Sequence, residues 1–189
     1  MNIDLFIFHL INGLSRKWWL SDWLGIFLAE YLPYLVVLLA IFILLKEKKW
    51  RQRFYFFALT SLSVVLARGV FTEIIRFFYY RPRPFWALQI QSLIGNSDTN
   101  GSFPSGHATA YFALALAIFY FLQQVQDEQN PKLGWWFLTV ALLIGLGRIF
   151  VGVHYPSDVL VGALIGLLSA FLVKKILPLP EIKNAPPAQ

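Results

Sequence analysis

The chain contains no cysteine. Disulfide scaffolding, thiol nucleophiles and cysteine-ligated zinc or iron–sulfur centres are therefore excluded. Charge is also scarce: 14% of the 189 residues are Asp, Glu, Lys or Arg, against about 25% in soluble domains. Internal repeats are missing, and low complexity is confined to residues 184–189, a proline- and alanine-rich tail expected to be disordered. One domain over residues 1–183 is the expected organisation. What the chain does have is apolar surface. Hydrophobic residues make up 58% of it, including 18 Phe, 8 Tyr and 7 Trp, more than a globule of this size can bury. Disordered chains, collagen-like chains and ordinary cytosolic enzymes are excluded, and a polytopic membrane protein is implied.

A membrane-spanning helix needs roughly 20 mostly apolar residues. Segments near that length occur at 23–45, 54–77, 106–122, 134–151 and 158–177. In residues 3–14 the apolar positions (Ile3, Leu5, Phe6, Phe8, Leu10, Ile11, Leu14) are broken by polar ones; the stretch is too short to span and runs into Trp18, Trp19 and Trp23. It reads as an interfacial amphipathic helix with an aromatic anchor. Asp4 and His9 interrupt this stretch and no small-residue cleavage site follows, so it does not read as a cleavable signal. The expected fold class is all-α: a polytopic membrane helix bundle with about five transmembrane helices plus an N-terminal interfacial helix.

The net charge of +6 is concentrated. Lys46, Lys48, Lys49, Arg51 and Arg53 fall in eight residues between two apolar runs, the signature of a cytoplasmic loop and not of a nucleic-acid surface. Alternation then puts the N-terminus and the loops at 78–105 and 152–157 outside. The C-terminal end falls inside, where Lys174, Lys175 and Lys183 agree.

Polar groups inside apolar spans are costly and usually mark function. Arg68, Thr72 and Arg76 repeat every four residues on one helical face, and Glu73 is near enough to pair with Arg76. A charge-paired packing network is the competing explanation for Arg68 and Glu73. Glu30 reads as an interfacial carboxylate, and the spacing of Gly162, Gly166 and Ala170 as a close helix–helix contact.

Three clusters fall on the outer side: Arg76 to Pro84, containing Arg81 and Arg83; Pro104-Ser105-Gly106-His107; and Arg148 to Asp158, containing His154. Arginines present donor forks that match phosphate oxygens. Ser105 and Gly106 open a helix, so their backbone N–H groups are expected to face an anion. Two histidines supply a nucleophile and a proton donor. Asp158, four residues after His154, can orient its ring. No carboxylate cluster suited to Mg²⁺ accompanies them, so phosphoryl transfer without metal or other cofactor is expected.

The combined pattern resembles the type 2 phosphatidic acid phosphatase superfamily, whose signature runs Lys-x6-Arg-Pro, Pro-Ser-Gly-His and Ser-Arg-x5-His-x3-Asp. Here it reads Arg76-x6-Arg83-Pro84, then Pro104 to His107, then Gly147-Arg148-x5-His154-x3-Asp158. Arginine replaces the usual lysine, and glycine the usual serine, which removes one hydroxyl. The resemblance implies that His154 is the nucleophile and Asp158 orients it. It also implies that His107 is the general acid and base, and that Arg76, Arg83, Ser105, Gly106 and Arg148 bind phosphate. Arg81 lies outside the signature and is expected to support substrate binding, with Arg68 and Glu73 as further supporting residues.

The small chain and the run Tyr79-Tyr80-Arg81-Pro82-Arg83-Pro84-Phe85 are similar to bacterial undecaprenyl pyrophosphate phosphatases of the bacitracin-resistance type. This resemblance implies a membrane lipid substrate, undecaprenyl diphosphate, hydrolysed on the periplasmic or extracellular side of a bacterial cytoplasmic membrane. Phosphatidylglycerophosphate, phosphatidic acid and lipid A remain as rival substrates. An anion transporter and an inactive binding protein remain as rival classes, and the sequence does not fix an oligomeric state.

Overall fold

The computed structural model describes residues 3–95, 101–125 and 131–177. The expected tail at 184–189 and Lys183 lie outside the described residues. All regular structure among the described residues is helical. A short helix α1 (Ile3–Asn12) is followed by α2 (Trp19–Lys46) and α3 (Trp50–Phe78). A single turn α4 (Pro84–Ala87) precedes α5 (Gly106–Val125), α6 (Pro131–Phe150) and α7 (Pro156–Ile176). Five of these are long and apolar enough to cross a membrane. The expected short third and fourth spans gain residues at Gln124 and Lys132, and the first starts at Trp19. The protein is a multi-pass membrane helix bundle, and its exposed Leu, Ile and Phe side chains are the surface a bilayer covers.

α5 is the centre of the bundle, packed most extensively on α7 and then on α6 and α3. Small residues decide how closely α5 and α7 approach. A Cβ on Gly162 would lie 2.8 Å from the Ser105 carbonyl oxygen, and one on Gly166 2.5 Å from that of Thr109. This is the close contact expected from their spacing. It draws the N-termini of α5 and α7 together, and there the backbone N–H of Ser105 donates to the Asp158 carbonyl at 2.9 Å. The rest of the core lies lower, where Phe56, Leu59, Ile118, Phe121, Phe137 and Ile144 interdigitate.

Two spans are not regular α-helices. α2 widens into a π-helical turn at Phe27–Tyr31 and α3 at Val65–Phe71. In α3 the extra residue brings the Thr72 hydroxyl to the Ala67 carbonyl at 2.9 Å, a five-residue step. The simple four-residue stripe Arg68–Thr72–Arg76 is therefore broken: Thr72 is fully buried in the bundle while both arginines reach a cavity at one end of it. Such π-bulges often occur at functional sites.

α1 also differs from a helix merely resting on the membrane. Phe8 is completely buried, with its ring 5.6 Å from that of Tyr155. Ile3, Phe6 and Leu10 are exposed on the opposite side, and Trp18, Trp19 and Trp23 follow as exposed aromatics.

Candidate active site

The ends of four spans converge: the C-termini of α3 and α6 and the N-termini of α5 and α7. Arg76 comes from the last turn of α3, and Arg83 from the extended segment beyond it, where Pro82 and Pro84 disfavour helix. His107 is in the first turn of α5, and Arg148 in the last turn of α6. His154 belongs to the short loop between α6 and α7. Gly152 sits in that loop at φ +86°, a backbone conformation that glycine adopts without a Cβ clash.

These side chains line one cavity of about 270 Å³, together with Arg68, Gly106, Ala110 and Tyr111. At about 30 Å³ per water molecule, that space holds a phosphoryl group with water to spare. Three arginines and two histidines from three distant sequence clusters thus share one chamber, with Arg68 as a fourth arginine from farther back on α3. A second cavity of about 510 Å³ adjoins it, sharing Arg83, His107, Tyr111 and Arg148, and adds Glu30, Tyr31 and Tyr34 from α2. A third, apolar groove of about 460 Å³ runs between α2, α3 and α5 and shares Ala110 and Tyr111 with the first chamber.

Three of these arginines are held by backbone as well as facing the cavity. Arg76 Nη2 donates to the Pro104 carbonyl at 3.1 Å. Arg83, only 4% exposed, reaches the Val153 carbonyl at 3.5 Å. Arg148 Nη1 reaches the Ala29 carbonyl at 3.4 Å, within the π turn of α2. Arg68 is ion-paired with Glu73, whose other neighbour Arg76 is more distant at 3.9 Å. The sequence had suggested the Glu73–Arg76 pair, and the π turn makes Arg68 the nearer partner.

His154 is 1% exposed. Its Nδ1 lies 2.8 Å from the Ser102 carbonyl oxygen and 3.6 Å from Asp158 Oδ2. A carbonyl accepts only, so Nδ1 carries the proton and Nε2 keeps its lone pair. Burial lowers His154 from 6.5 to about 4; Arg148 and Arg83 deepen the shift, and Asp158 opposes it. The ring is therefore neutral at physiological pH. His107 lines both polar chambers, with its ring stacked on Tyr111.

Some residues fall elsewhere than the sequence suggests. The N–H of Ser105 is taken by the Asp158 carbonyl, and its hydroxyl lies 3.4 Å from the Ala108 N–H, so this residue braces the cavity wall from behind. Gly106 does line the cavity, where a Cβ would meet Arg68 Nε at 2.6 Å. Arg81 points away from the chamber, with Nη1 2.7 Å from Asp158 Oδ1 and Nη2 2.6 Å from Asp4 Oδ2. Gly147 packs against α2, and a Cβ there would stand 2.9 Å from the Ala29 nitrogen. Ser102 was missed by sequence reasoning. It acts through a backbone carbonyl, which every residue possesses, so the sequence holds no signal for it.

Comparison with known proteins identifies what this chain is similar to. A family described as the PAP2 superfamily matches residues 54–180. A protein named undecaprenyl-diphosphatase BcrC from Bacillus subtilis (strain 168) is 33% identical over 168 residues, covering 88% of this chain and 80% of its own. A protein named bacitracin transport permease protein BcrC from Bacillus licheniformis is 32% identical over 173 residues, covering 92% and 79%. The crystal structure of Aquifex aeolicus LpxE superposes with a TM-score of 0.71 at 27% identity, covering 93% of this chain and 96% of that one.

Proposed function

The chain belongs to the PAP2 superfamily of membrane phosphatases, and from that premise we propose that it hydrolyses undecaprenyl diphosphate to undecaprenyl phosphate through a phosphohistidine on His154. The observation that carries this reading is the single cavity lined by His107, His154 and four arginines. Transport of an anion would need the cations but neither a neutral, oriented imidazole nor a second histidine opposite it. The BcrC relative named as a diphosphatase supports the substrate, and the apolar groove beside the chamber supports a hydrocarbon tail over a soluble phosphate.

The proposed chemistry runs in two steps. Nε2 of His154 attacks the terminal phosphorus, and an N–P bond forms as the bond from phosphorus to the bridging oxygen breaks. Protonated His107 gives its proton to that oxygen, and the lipid monophosphate leaves. Neutral His107 then takes a proton from water, whose oxygen attacks phosphorus while the N–P bond breaks, and inorganic phosphate departs. Arg76, Arg83 and Arg148 hold the phosphoryl oxygens through both transition states, where fixed donors in a water-poor site act most strongly. Arg68 and Gly106 complete the cradle. No step calls on a metal or cofactor.

The site lies at the end of the bundle opposite the Lys46–Arg53 loop and the last turn of α7 with Lys174 and Lys175. By the positive-inside rule, this supports a site on the outer face of a bacterial cytoplasmic membrane. The deciding experiment measures kcat/KM for undecaprenyl diphosphate, phosphatidylglycerophosphate and phosphatidic acid in detergent with EDTA present. Preference for the diphosphate is expected. A higher kcat/KM for either phospholipid would replace the substrate, and strict Mg²⁺ dependence would overturn the mechanism.

A further inference from the structure

The helix before the first span is joined to the loop carrying His154 along one stripe. Asp4 Oδ1 accepts the backbone N–H of Ser157 at 2.8 Å, and Oδ2 accepts its hydroxyl at 2.7 Å. One turn later Phe8 packs on Tyr155, and after another Asn12 Nδ2 donates to the Phe150 carbonyl at 2.8 Å. Residues four apart share a helix face, so this stripe clasps the loop from the last residue of α6 to the first turn of α7. α1 lies outside the residues matched by the family.

Asp4 also reaches toward the nucleophile. Its Oδ2 holds Arg81, whose other nitrogen meets Asp158, and the guanidinium lies 3.9 Å over the Tyr155 ring. Asp158 is fully buried and uses Oδ2 to accept the Tyr155 N–H at 2.8 Å, 3.6 Å from His154 Nδ1. Burial would raise Asp4, but hydrogen bonds from Arg81 and Ser157 and the Arg81 charge bring it below the usual carboxylate range, so it is ionised. Arg81 facing Asp158 alone would cancel that carboxylate. With Asp4 present the group Asp4–Arg81–Asp158 keeps one net negative charge. It lies behind a ring that becomes positive as the N–P bond forms, with Arg83, Arg148 and His107 on the ring's other side.

We propose that Asp4 is a positioning residue for phosphoryl transfer: it divides the Arg81 guanidinium between two carboxylates and pins the first turn of α7, keeping His154 aimed and supported by Asp158. This rests on His154 being the nucleophile, and the test separates the two claims. The readouts on the full-length protein are steady-state kcat and KM and the rate of labelling by farnesyl diphosphate carrying ³²P in its terminal phosphate. Asp4→Asn should slow labelling about 10-fold, the lower range for groups that orient a functional ligand, with KM and thermal transition unchanged. Asp4→Glu should restore most of the rate. Wild-type labelling in Asp4→Asn overturns the proposal, as does a loss of rate accompanied by a lost thermal transition that Asp4→Glu does not restore. Should Asp4→Asn fail to fold, Ser157→Ala removes the hydroxyl that donates to Asp4 Oδ2 and accepts from Arg81 Nη1, loosening the same group without altering its charge. Slower labelling at constant KM then supports the role, and a wild-type rate overturns it. Label or turnover in His154→Ala instead overturns the nucleophile assignment, whatever the Asp4 variants do.

Discussion

His154 holds its ring by donating Nδ1–H to the carbonyl oxygen of Ser102, 2.8 Å away. The Asp158 carboxylate is farther, at 3.6 Å, so the tautomer is set by backbone and the carboxylate acts mainly through its charge. In serine-protease triads, changing the aspartate to asparagine costs about 10⁴ in kcat because the histidine adopts the wrong tautomer. Here Ser102 still demands Nδ1–H after such a change, and Arg81 still has Asp4. Asp158→Asn should therefore lower kcat by only about 10- to 100-fold, the range for lost orienting partners. Measured kcat in detergent decides it, and a loss near that of His154→Ala would return the orienting role to Asp158.

His107 has two duties in the proposed route, and a substrate with an easy leaving group separates them. p-Nitrophenolate departs without a proton, so His107→Ala should still form the phosphohistidine from p-nitrophenyl phosphate but fail to hydrolyse it. Stopped-flow absorbance should show one equivalent of nitrophenolate per site and then near arrest, the burst expected of a trapped covalent intermediate. Linear turnover with no burst would remove His107 from the second step.

Gly147 stands where the family usually has serine, and restoring the serine should harm this protein. Its Cβ would fall 2.9 Å from both the Ala29 nitrogen and Leu28 Cβ, in the π turn whose Ala29 carbonyl meets Arg148. Overpacking of this kind typically costs about 1–3 kcal/mol. Gly147→Ser should lower the melting temperature in detergent and reduce kcat/KM by displacing Arg148. An equally stable and more active variant would mean that the serine hydroxyl outweighs the crowding.

The absence of cysteine makes the membrane orientation directly testable. Lys17 and Lys48 are both exposed, at the site end and at the opposite end of the bundle. In intact cells a membrane-impermeant maleimide should label Lys17→Cys and leave Lys48→Cys unlabelled until the membrane is opened. The reverse pattern would put the cavity in the cytoplasm.

The spans were legible because hydrophobic length is written in the sequence, and the clusters around Arg76, His107 and His154 because side-chain chemistry is. What escaped depends on backbone. The π turns at Phe27–Tyr31 and Val65–Phe71 leave no mark on the apolar pattern, yet they bring the Ala29 carbonyl to Arg148 and pair Arg68 with Glu73. Ser105 looked like an anion donor from its place at a helix start, but the close α5–α7 approach spends its N–H on the Asp158 carbonyl. The apolar face of α1 reads as membrane contact, and Ile3, Phe6 and Leu10 are exposed, but Phe8 and Asp4 answer to residues far along the chain, beyond the reach of local periodicity.

The buried imidazole of His154 also leaves a signature in stability. Its ordinary value of 6.5 applies to the unfolded chain and about 4 to the folded one, because burial and the nearby Arg148 and Arg83 oppose its charge while Asp158 only partly compensates. Between those values the unfolded state binds more protons, so folding stability rises with pH across this window and is lost as pH falls from 6.5 toward 4. The full loss is about 3 kcal/mol at roughly 1.4 kcal/mol per unit. Melting temperature in detergent should drop over that range, and His154→Asn, which cannot take the proton, should flatten the drop. If both proteins lose stability in parallel, the neutral ring is not what acid disrupts, and the tautomer held by Ser102 loses its support.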